Sequence, residues 1–299
     1  MSKKKKEETV QKHKVFKLKR KKPNRSRVGD FFLHLFLLGM ACLMIYPLVF
    51  QINNALKPLD ELFRFPPSFW PKNPTLDNFS DLFVTMGKSW VTFTRYIFNT
   101  VFITAVGTFG HVIIASMAAF VLAKYDFPGK NAFFSLVVTA LMFTGYVTGI
   151  PNYLIINGLG WIDTYWAIII PAFAAPIGLF LMKQFMEGLP MALIEAAKID
   201  GANEWMVFSR IVMPNVKPAW LTLAIFQFQQ MWSNTGGTFL RDEQLKPLQY
   251  ALYQITAGGV ARAGAGAAVT FIIAAVPITF FLICQSNVLE TMTSSGMKE

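Results

Sequence analysis

Charge is scarce in this 299-residue chain: 15% of its residues are charged, against about 25% in soluble domains. What charge there is gathers at one end. Residues 1–30 hold 13 of the 28 Lys and Arg and 3 of the 17 Asp and Glu. The rest of the chain is nearly neutral, and 54% of the whole is apolar. A water-soluble enzyme, a disordered segment and a generally basic surface for nucleic acid are all excluded by that balance. Cysteine is nearly absent. Cys42 and Cys284 lie in apolar runs and join no Cys-x-x-Cys or Cys/His group, so they read as small apolar side chains. His13, His34 and His111 are scattered and have no metal-ligand spacing. No phosphate-binding G-x-x-x-x-G-K-[ST] loop is present; Gly129-Lys130 lacks the upstream glycine, so the chain carries no ATPase site of that kind. No Ser/His/Asp, Cys/His or metal constellation stands out, and we expect no enzyme activity and no bound cofactor.

What the chain does have is apolar runs of membrane length. Six are read as spans: Phe31–Ile52, then about Tyr96–Leu122, Ala132–Pro151, Tyr165–Phe185, Pro218–Trp232 and Ala265–Gln285. Roughly 20 apolar residues cross ~30 Å of hydrocarbon as a helix. The fold class is therefore all-α, a polytopic membrane protein. The basic start is too long for a signal peptide and no small-x-small site follows, so the first run is read as an uncleaved span. Lys183 is the exception to charge-free spans, and is expected to snorkel from a helix end. No Asp or Glu falls mid-span, which argues against an ion-coupled secondary transporter. The basic tail places the N-terminus in the cytoplasm, and six crossings return the C-terminus there.

Between the first two spans, residues 53–95 contain FPPSFWPKNP. Proline at that density forbids a regular helix or central strand. The segment is expected to be a structured extracytoplasmic loop, as a connector or as a docking surface.

The loop of residues 187–217 is the most informative. Pro190 suits a first helical turn, Met191–Ile199 is rich in helix formers, and Gly201 is placed for a left-handed cap. Asn203 is placed to cap a second helix, Glu204–Val212, expected to stop before Pro214. In the first helix Ile194 and Ala197 share one face, with Lys198 at its border, while Glu195 and Ile199 share another. The pair Ala196–Ala197 would let another backbone approach. Docking into a groove of a second protein and lying on the membrane both fit this pattern.

Glu195-Ala196-Ala197, then Asp200-Gly201-Ala202, Phe208, Ile211 and Pro214, resemble the EAA signature of binding-protein-dependent ABC importer permeases. Met213 stands where Leu is usual. AAFVLAKYDFPGKN at 118–131, NYLIINGLGWIDTYWAIIIP at 152–171, LFLMKQFMEGLP at 179–190 and KPAWLTLAIFQFQQMW at 217–232 resemble the family's flanking segments in order. The likeness covers about residues 95–286 and is nearest the carbohydrate-uptake branch, the maltose-transporter-type second permease.

The resemblance implies a type I importer permease fold with six transmembrane helices and a cytoplasmic coupling helix. It divides the chain into a basic tail (1–30), a first helix (31–52), an outer loop (53–95), a core domain (96–286) and a C-terminal tail (287–299). It implies as partners a second homologous permease, a dimer of cytoplasmic ATPase subunits that bind ATP and Mg, an extracytoplasmic solute-binding protein, and a carbohydrate substrate in the cell membrane. Within the fold, a polyol or a peptide is the alternative cargo. Glu195, Ala196, Ala197, Asp200, Gly201 and Ala202 are the implied ATPase-contacting residues.

The residues themselves offer a substrate path. Gln227, Gln230 and Asn234 recur at three- and four-residue steps, on one face of the fifth span. Trp232 and the Tyr250, Tyr253 and Gln254 group are candidate neighbours. Amides that bind sugar hydroxyls and amides that hold helices together remain two open readings. His111 is read as a hydrogen-bonded interior residue. Ala115, Ala119 and Ala123, and Gly145 with Gly149, have spacings that permit close helix crossings.

Overall fold

The computed structural model describes residues 27–87, 91–143, 145–259 and 262–295. The basic tail up to residue 26 lies outside them. The chain divides into two compact units, residues 1–49 and 50–299. In the first, the described residues form most of α1 (Arg27–Leu56), which continues into the second. Its apolar side chains from Phe31 to Tyr46 are nearly all exposed. A 29-residue stretch of that hydropathy with no buried side in its most apolar window suits hydrocarbon rather than water.

The second unit is all-helical among the described residues: α2 (Leu59–Leu62), α3 (Asp77–Gly87), α4 (Phe93–Lys124), α5 (Lys130–Ala140), α6 (Gly145–Gly158), α7 (Trp166–Phe173), α8 (Pro176–Glu187), α9 (Met191–Ile199), α10 (Glu204–Met206), a π-helical turn (Val207–Val212), α11 (Met213–Asn215), α12 (Lys217–Trp232), α13 (Leu248–Ala257) and α14 (Ala263–Ser295), with a 3₁₀ turn at Glu243–Leu245. The long α4 is the axis. It packs on α7, α8, α12 and α13.

Among the described residues, four helices are long and apolar enough to cross a membrane: Val28–Leu56, Phe93–Lys124, Trp166–Glu187 and Ala263–Gln285. The third run, expected as one helix, is two, α5 and α6, parted at Leu141–Phe143. The fourth also bends. Pro176 forces Ala175 into an extended conformation, ψ 121°, and α7 ends there. The fifth, α12, has 16 residues, or about 24 Å of rise. The sixth helix runs past its apolar stretch to Ser295, so most of the expected C-terminal tail is helical; residues 296–299 lie outside the description.

The loop after α1 is structured, as its prolines demanded. The buried ammonium of Lys57 donates to Asn54 Oδ1 (2.9 Å) and the Ser68 carbonyl (2.5 Å). The buried carboxylate of Glu61 accepts from the backbone N–H groups of Lys72 and Asn73 at 2.9 and 3.0 Å. Each buried charge thus finds donors or acceptors within the turn it organises.

Small residues set the helix approaches around α4. A Cβ on Gly110 would overlap the Phe173 ring, and one on Gly178 would overlap His111 Nε2. Ala115 and Ala119 are buried on the same side. Gly145 and Gly149 differ: a Cβ there meets nothing within 4 Å, so they make no close crossing in this chain. His111 is fully buried, with Nδ1 3.2 Å from the Phe173 carbonyl, as an interior residue. Lys183 does not snorkel. It is 7% exposed, pairs with Glu187 at 2.6 Å and lies 3.8 Å from the centre of the Phe134 ring. The partner one turn away makes burial tolerable.

Gly178→Val is expected to lower the thermal midpoint of the purified transporter, since overpacking a tight core costs about 1–3 kcal/mol. Gly149→Ala is expected to leave it unchanged. Equal midpoints for both variants, measured by tryptophan fluorescence in detergent, would remove the α4–α8 contact from the account.

Candidate functional site

The loop of residues 187–217 folds as its capping residues dictate. Pro190 precedes α9 at φ −61° and ψ 133°. At the other end Gly201 has φ +82°, a left-handed conformation. The Ala202 N–H donates to the Ala197 carbonyl (3.0 Å) and the Gly201 N–H to the Lys198 carbonyl (3.1 Å). That pair of bonds is the Schellman closure, and it satisfies carbonyls the helix end leaves open. Asn203 Oδ1 then accepts from the Met206 N–H at 2.8 Å and opens the next helix.

That helix does not stop before Pro214. It widens into the π turn Val207–Val212 and continues through Pro214 to Asn215. A proline removes one ladder N–H and crowds the preceding turn; a π bulge just before it accommodates both.

The two faces of α9 have different fates. Ile194 is 1% exposed and Ala197 8%. Both sit in a cluster with Phe120 of α4, Met182 and Met186 of α8, Val207, Phe208 and Val212 of the π turn, and Leu223 of α12. The outer face leaves Glu195, Ala196, Asp200 and Gly201 exposed, with Ile199 at 86%. Ala202 is half-buried against the cluster. Ala197 belongs to the anchoring face, so only Ala196 of the alanine pair is free for close approach.

A polar clasp adds to the apolar seam. The Lys198 ammonium pairs with Glu204 at 2.6 Å and donates to the Tyr125 hydroxyl at 3.1 Å. Tyr125 in turn donates to Glu204. The clasp ties α9, α10 and the end of α4 together. Lys198 holds the Glu204 carboxyl below its ordinary range, with Tyr125 adding to the effect. Glu204, then Tyr125, raises the Lys198 ammonium above its own. Nearby, the Lys124 ammonium donates to the Leu189 carbonyl at 2.6 Å, bridging α4 to the turn before α9.

Beside the middle of α4 a second construction lies among α6, α7, α12 and the segment after α12. Gln227, Gln230 and Asn234 line one cavity of about 240 Å³, together with Asn152 of α6, Ala172 of α7 and Phe239. The three-and-four spacing did bring these amides together. Gln227 is 2% exposed, and its amide lies a long 3.5 Å from the Ala172 carbonyl. Gln230 is exposed and Asn234 half-buried, its Oδ1 accepting from the Gly236 N–H at 2.7 Å.

Trp232 is not in that group. It stands about 140° around α12 from Gln227. It is buried, donates from Nε1 to the Ile273 carbonyl of α14 at 3.0 Å, and stacks on Phe228. Its role is packing. Tyr250 likewise packs in the cluster of Leu248 and Ala251, beneath the Lys246 ammonium. Asn152 was missed, because a lone Asn before Tyr153 gives no periodic signal.

The segment beyond α12 is pinned to α4 by polar groups that no motif announced. Asn99, fully buried, donates to the carbonyls of Gln244 and Lys246, each at 2.8 Å, and accepts from the Tyr165 hydroxyl at 2.7 Å. Tyr96 donates to Glu243 at 2.6 Å, and Thr100 Oγ1 accepts from the Leu248 N–H at 2.7 Å. The amide cavity therefore sits on a rigid frame. Among the described residues no group of three or more His, Cys, Asp or Glu could hold a metal ion.

A family model described as "binding-protein-dependent transport system inner membrane component" matches residues 36–293. The chain belongs to that family. It is therefore a membrane-embedded transport subunit. Protein LplC of Bacillus subtilis is 36% identical over 232 residues, which cover 77% of this chain and 76% of the relative. The arabinooligosaccharides transport system permease protein AraQ of Halalkalibacterium halodurans is 36% identical over 197 residues, 65% of this chain and 69% of the relative. The polygalacturonan/rhamnogalacturonan transport system permease protein YtcP of Bacillus subtilis is 30% identical over 77% of this chain and 79% of the relative. A solved structure of a bacterial ABC transporter involved in the import of the acidic polysaccharide alginate superposes with a TM-score of 0.75 at 21% identity, over 89% of this chain and 99% of that one. Its likeness establishes the type I permease fold.

Substitutions at two positions test the α9 geometry. Gly201→Ala is expected to destabilise the loop by about 1–2 kcal/mol, the cost of a left-handed residue with a Cβ, and Gly201→Asn by less. Their order in thermal midpoint checks the cap. Glu204→Gln is expected to destabilise at neutral pH. The contribution of Glu204 is present above the ordinary carboxylate range and is lost as pH falls through its lowered value. The gap between wild type and variant should therefore close in acid, in thermal midpoints measured across pH.

Proposed function

We propose that this chain is a membrane-spanning permease subunit of an ATP-driven importer whose cargo is a carbohydrate, an oligosaccharide above all. An external solute-binding protein delivers the cargo to the side of the bundle that holds the amide cavity. A second, homologous permease completes the path. Two cytoplasmic ATPase subunits bind ATP and Mg and seat the outer face of α9. Both termini lie in the cytoplasm, in line with the basic tail.

The observation that carries the reading is the two-sided burial of α9. One face is locked into the core by Ile194 and Ala197. The other presents Glu195, Ala196 and an almost fully exposed Ile199. Exposed isoleucine beside a small residue, on a helix that cannot rotate away, is suited to a groove in a partner. A displacement applied to that face passes directly to α4, α8 and α12, because their side chains share one apolar cluster with α9. Of these, α12 also carries the amides of the cavity. Closure of the ATPase pair would thus swing cavity-lining helices and change which side the cavity faces.

The carbohydrate assignment is supported by the relatives named as oligosaccharide and polygalacturonan permeases. It is also supported by amides able to bond sugar hydroxyls beside the Phe239 ring.

Affinity purification of the full chain from its native membrane in mild detergent is expected to recover a second EAA-bearing permease and a Walker-motif ATPase. Ile199→Asp should reduce the co-purified ATPase at least several-fold while retaining the second permease, because a charge would enter an apolar groove. A chain that emerges alone, or an Ile199→Asp complex with undiminished ATPase, contradicts the reading.

A further inference from the structure

Beside the amide cavity lies an open cleft of about 640 Å³, and Phe239 lines both. The cleft is also lined by Tyr153, Thr238 and Arg241. Asn152 in the cavity and Tyr153 in the cleft are consecutive on α6. The Tyr153 and Phe239 rings are 6.1 Å apart with 38° between their planes. A chain of sugar rings lying across Phe239 would meet amides on one side and a guanidinium on the other.

That guanidinium is positioned. Arg241 Nη2 donates to the Tyr153 hydroxyl at 2.8 Å, and the Arg241 backbone N–H donates to Asp163. Among the described residues, the Tyr153 bond is its one side-chain hydrogen bond, of five N–H donors. The acids nearby are engaged elsewhere. Asp163 accepts from the Asp242 and Arg241 backbones, and those bonds keep its carboxyl below the ordinary range. Asp242 caps the Gln244 N–H at 3.0 Å. Glu243 takes the Tyr96 hydroxyl and Lys246. Asp163 steadies the arginine electrostatically without a side-chain bond to it. What remains is an exposed, oriented fork of donors at the mouth of an aromatic cleft.

We propose that Arg241, oriented by Tyr153, is a specificity-determining residue that pairs with the carboxylate of an acidic oligosaccharide. The inference rests on the carbohydrate reading above and narrows it to sugars bearing uronate-type groups. A planar guanidinium with parallel donors matches a carboxylate in two bonds, which a lysine or an amide cannot reproduce. Phe239 and Tyr153 supply apolar faces for the ring, and Gln227, Gln230 and Asn152 supply partners for hydroxyls. Tyr153 is a positioning residue, since it acts on the sugar through Arg241.

The test uses cells in which the chromosomal gene for this chain is deleted and then complemented with wild type, Arg241→Gln, Arg241→Lys or Tyr153→Phe. Uptake of labelled trigalacturonate and labelled maltotriose is measured, with the membrane content of the transporter followed by immunoblot. The expected result is deletion-sensitive uptake of trigalacturonate. Its ratio to maltotriose uptake should fall about tenfold or more in Arg241→Gln, the size of a lost charged hydrogen-bond pair. It should fall less in Arg241→Lys and least in Tyr153→Phe. A merely structural arginine would lower both sugars together with the membrane content, and that result overturns the proposal. Deletion-sensitive uptake of maltotriose alone, indifferent to Arg241→Gln, overturns the proposal and leaves the carbohydrate reading standing. Deletion that changes uptake of neither sugar overturns the proposal.

Discussion

The structure depends on one apolar seam, where Ile194 and Ala197 of α9 enter the cluster shared by α4, α8, the π turn and α12. Burying those two side chains contributes only about 2–3 kcal/mol by area. Their importance is mechanical. A nine-residue helix is too short to be stable alone. Without the seam it would have no fixed orientation and could pass no force. With it, the exposed face of α9 is a fixed feature of the bundle. The Gly201 cap and the Lys198–Glu204–Tyr125 clasp both secure the C-terminal end of that helix.

From that joint the physical path to the cavity is short. The cluster reaches α12 at Ala219 and Leu223, and Gln227 is one turn further along the same helix. At the far end of α4, Asn99, Tyr96 and Thr100 pin the segment that carries Phe239 and Arg241. Close-packed interiors move as blocks rather than deforming continuously. One end of the bundle therefore offers a rigid handle, and the cavity further along is fixed to the same helices. That arrangement is what the proposed coupling to a partner ATPase requires.

Much of this was legible in the sequence wherever local chemistry decides the outcome. The bounds of α9, the left-handed Gly201 and the Asn203 cap followed from Pro190, Gly and Asn at their positions. The facing of Ile194 and Ala197 followed from helical periodicity, as did the convergence of Gln227, Gln230 and Asn234. Where tertiary contacts decide, local rules failed. Pro214 was absorbed by a π turn, and the third apolar run broke in two. Trp232 turned to α14, since a tryptophan at an apolar helix end gives no sign of which neighbour it will meet. Lys183 met Glu187 and stayed buried. The Asn99 hub joins residues some 145 positions apart, beyond any periodic signal.

The central claim is that α9 and the helices lining the cavity move as one body. It is tested most directly by a distance between spin labels on residues 193 and 229, in the assembled transporter with Cys42→Ser and Cys284→Ser. Leu193 is an exposed position of α9 outside the face assigned to the ATPase, and Gln229 is an exposed position of α12. The account predicts a single distance distribution that keeps its centre without nucleotide, with ATP trapped, and after hydrolysis. A distribution that shifts or splits with nucleotide would mean that α9 swings on the bundle rather than with it, and would contradict the account.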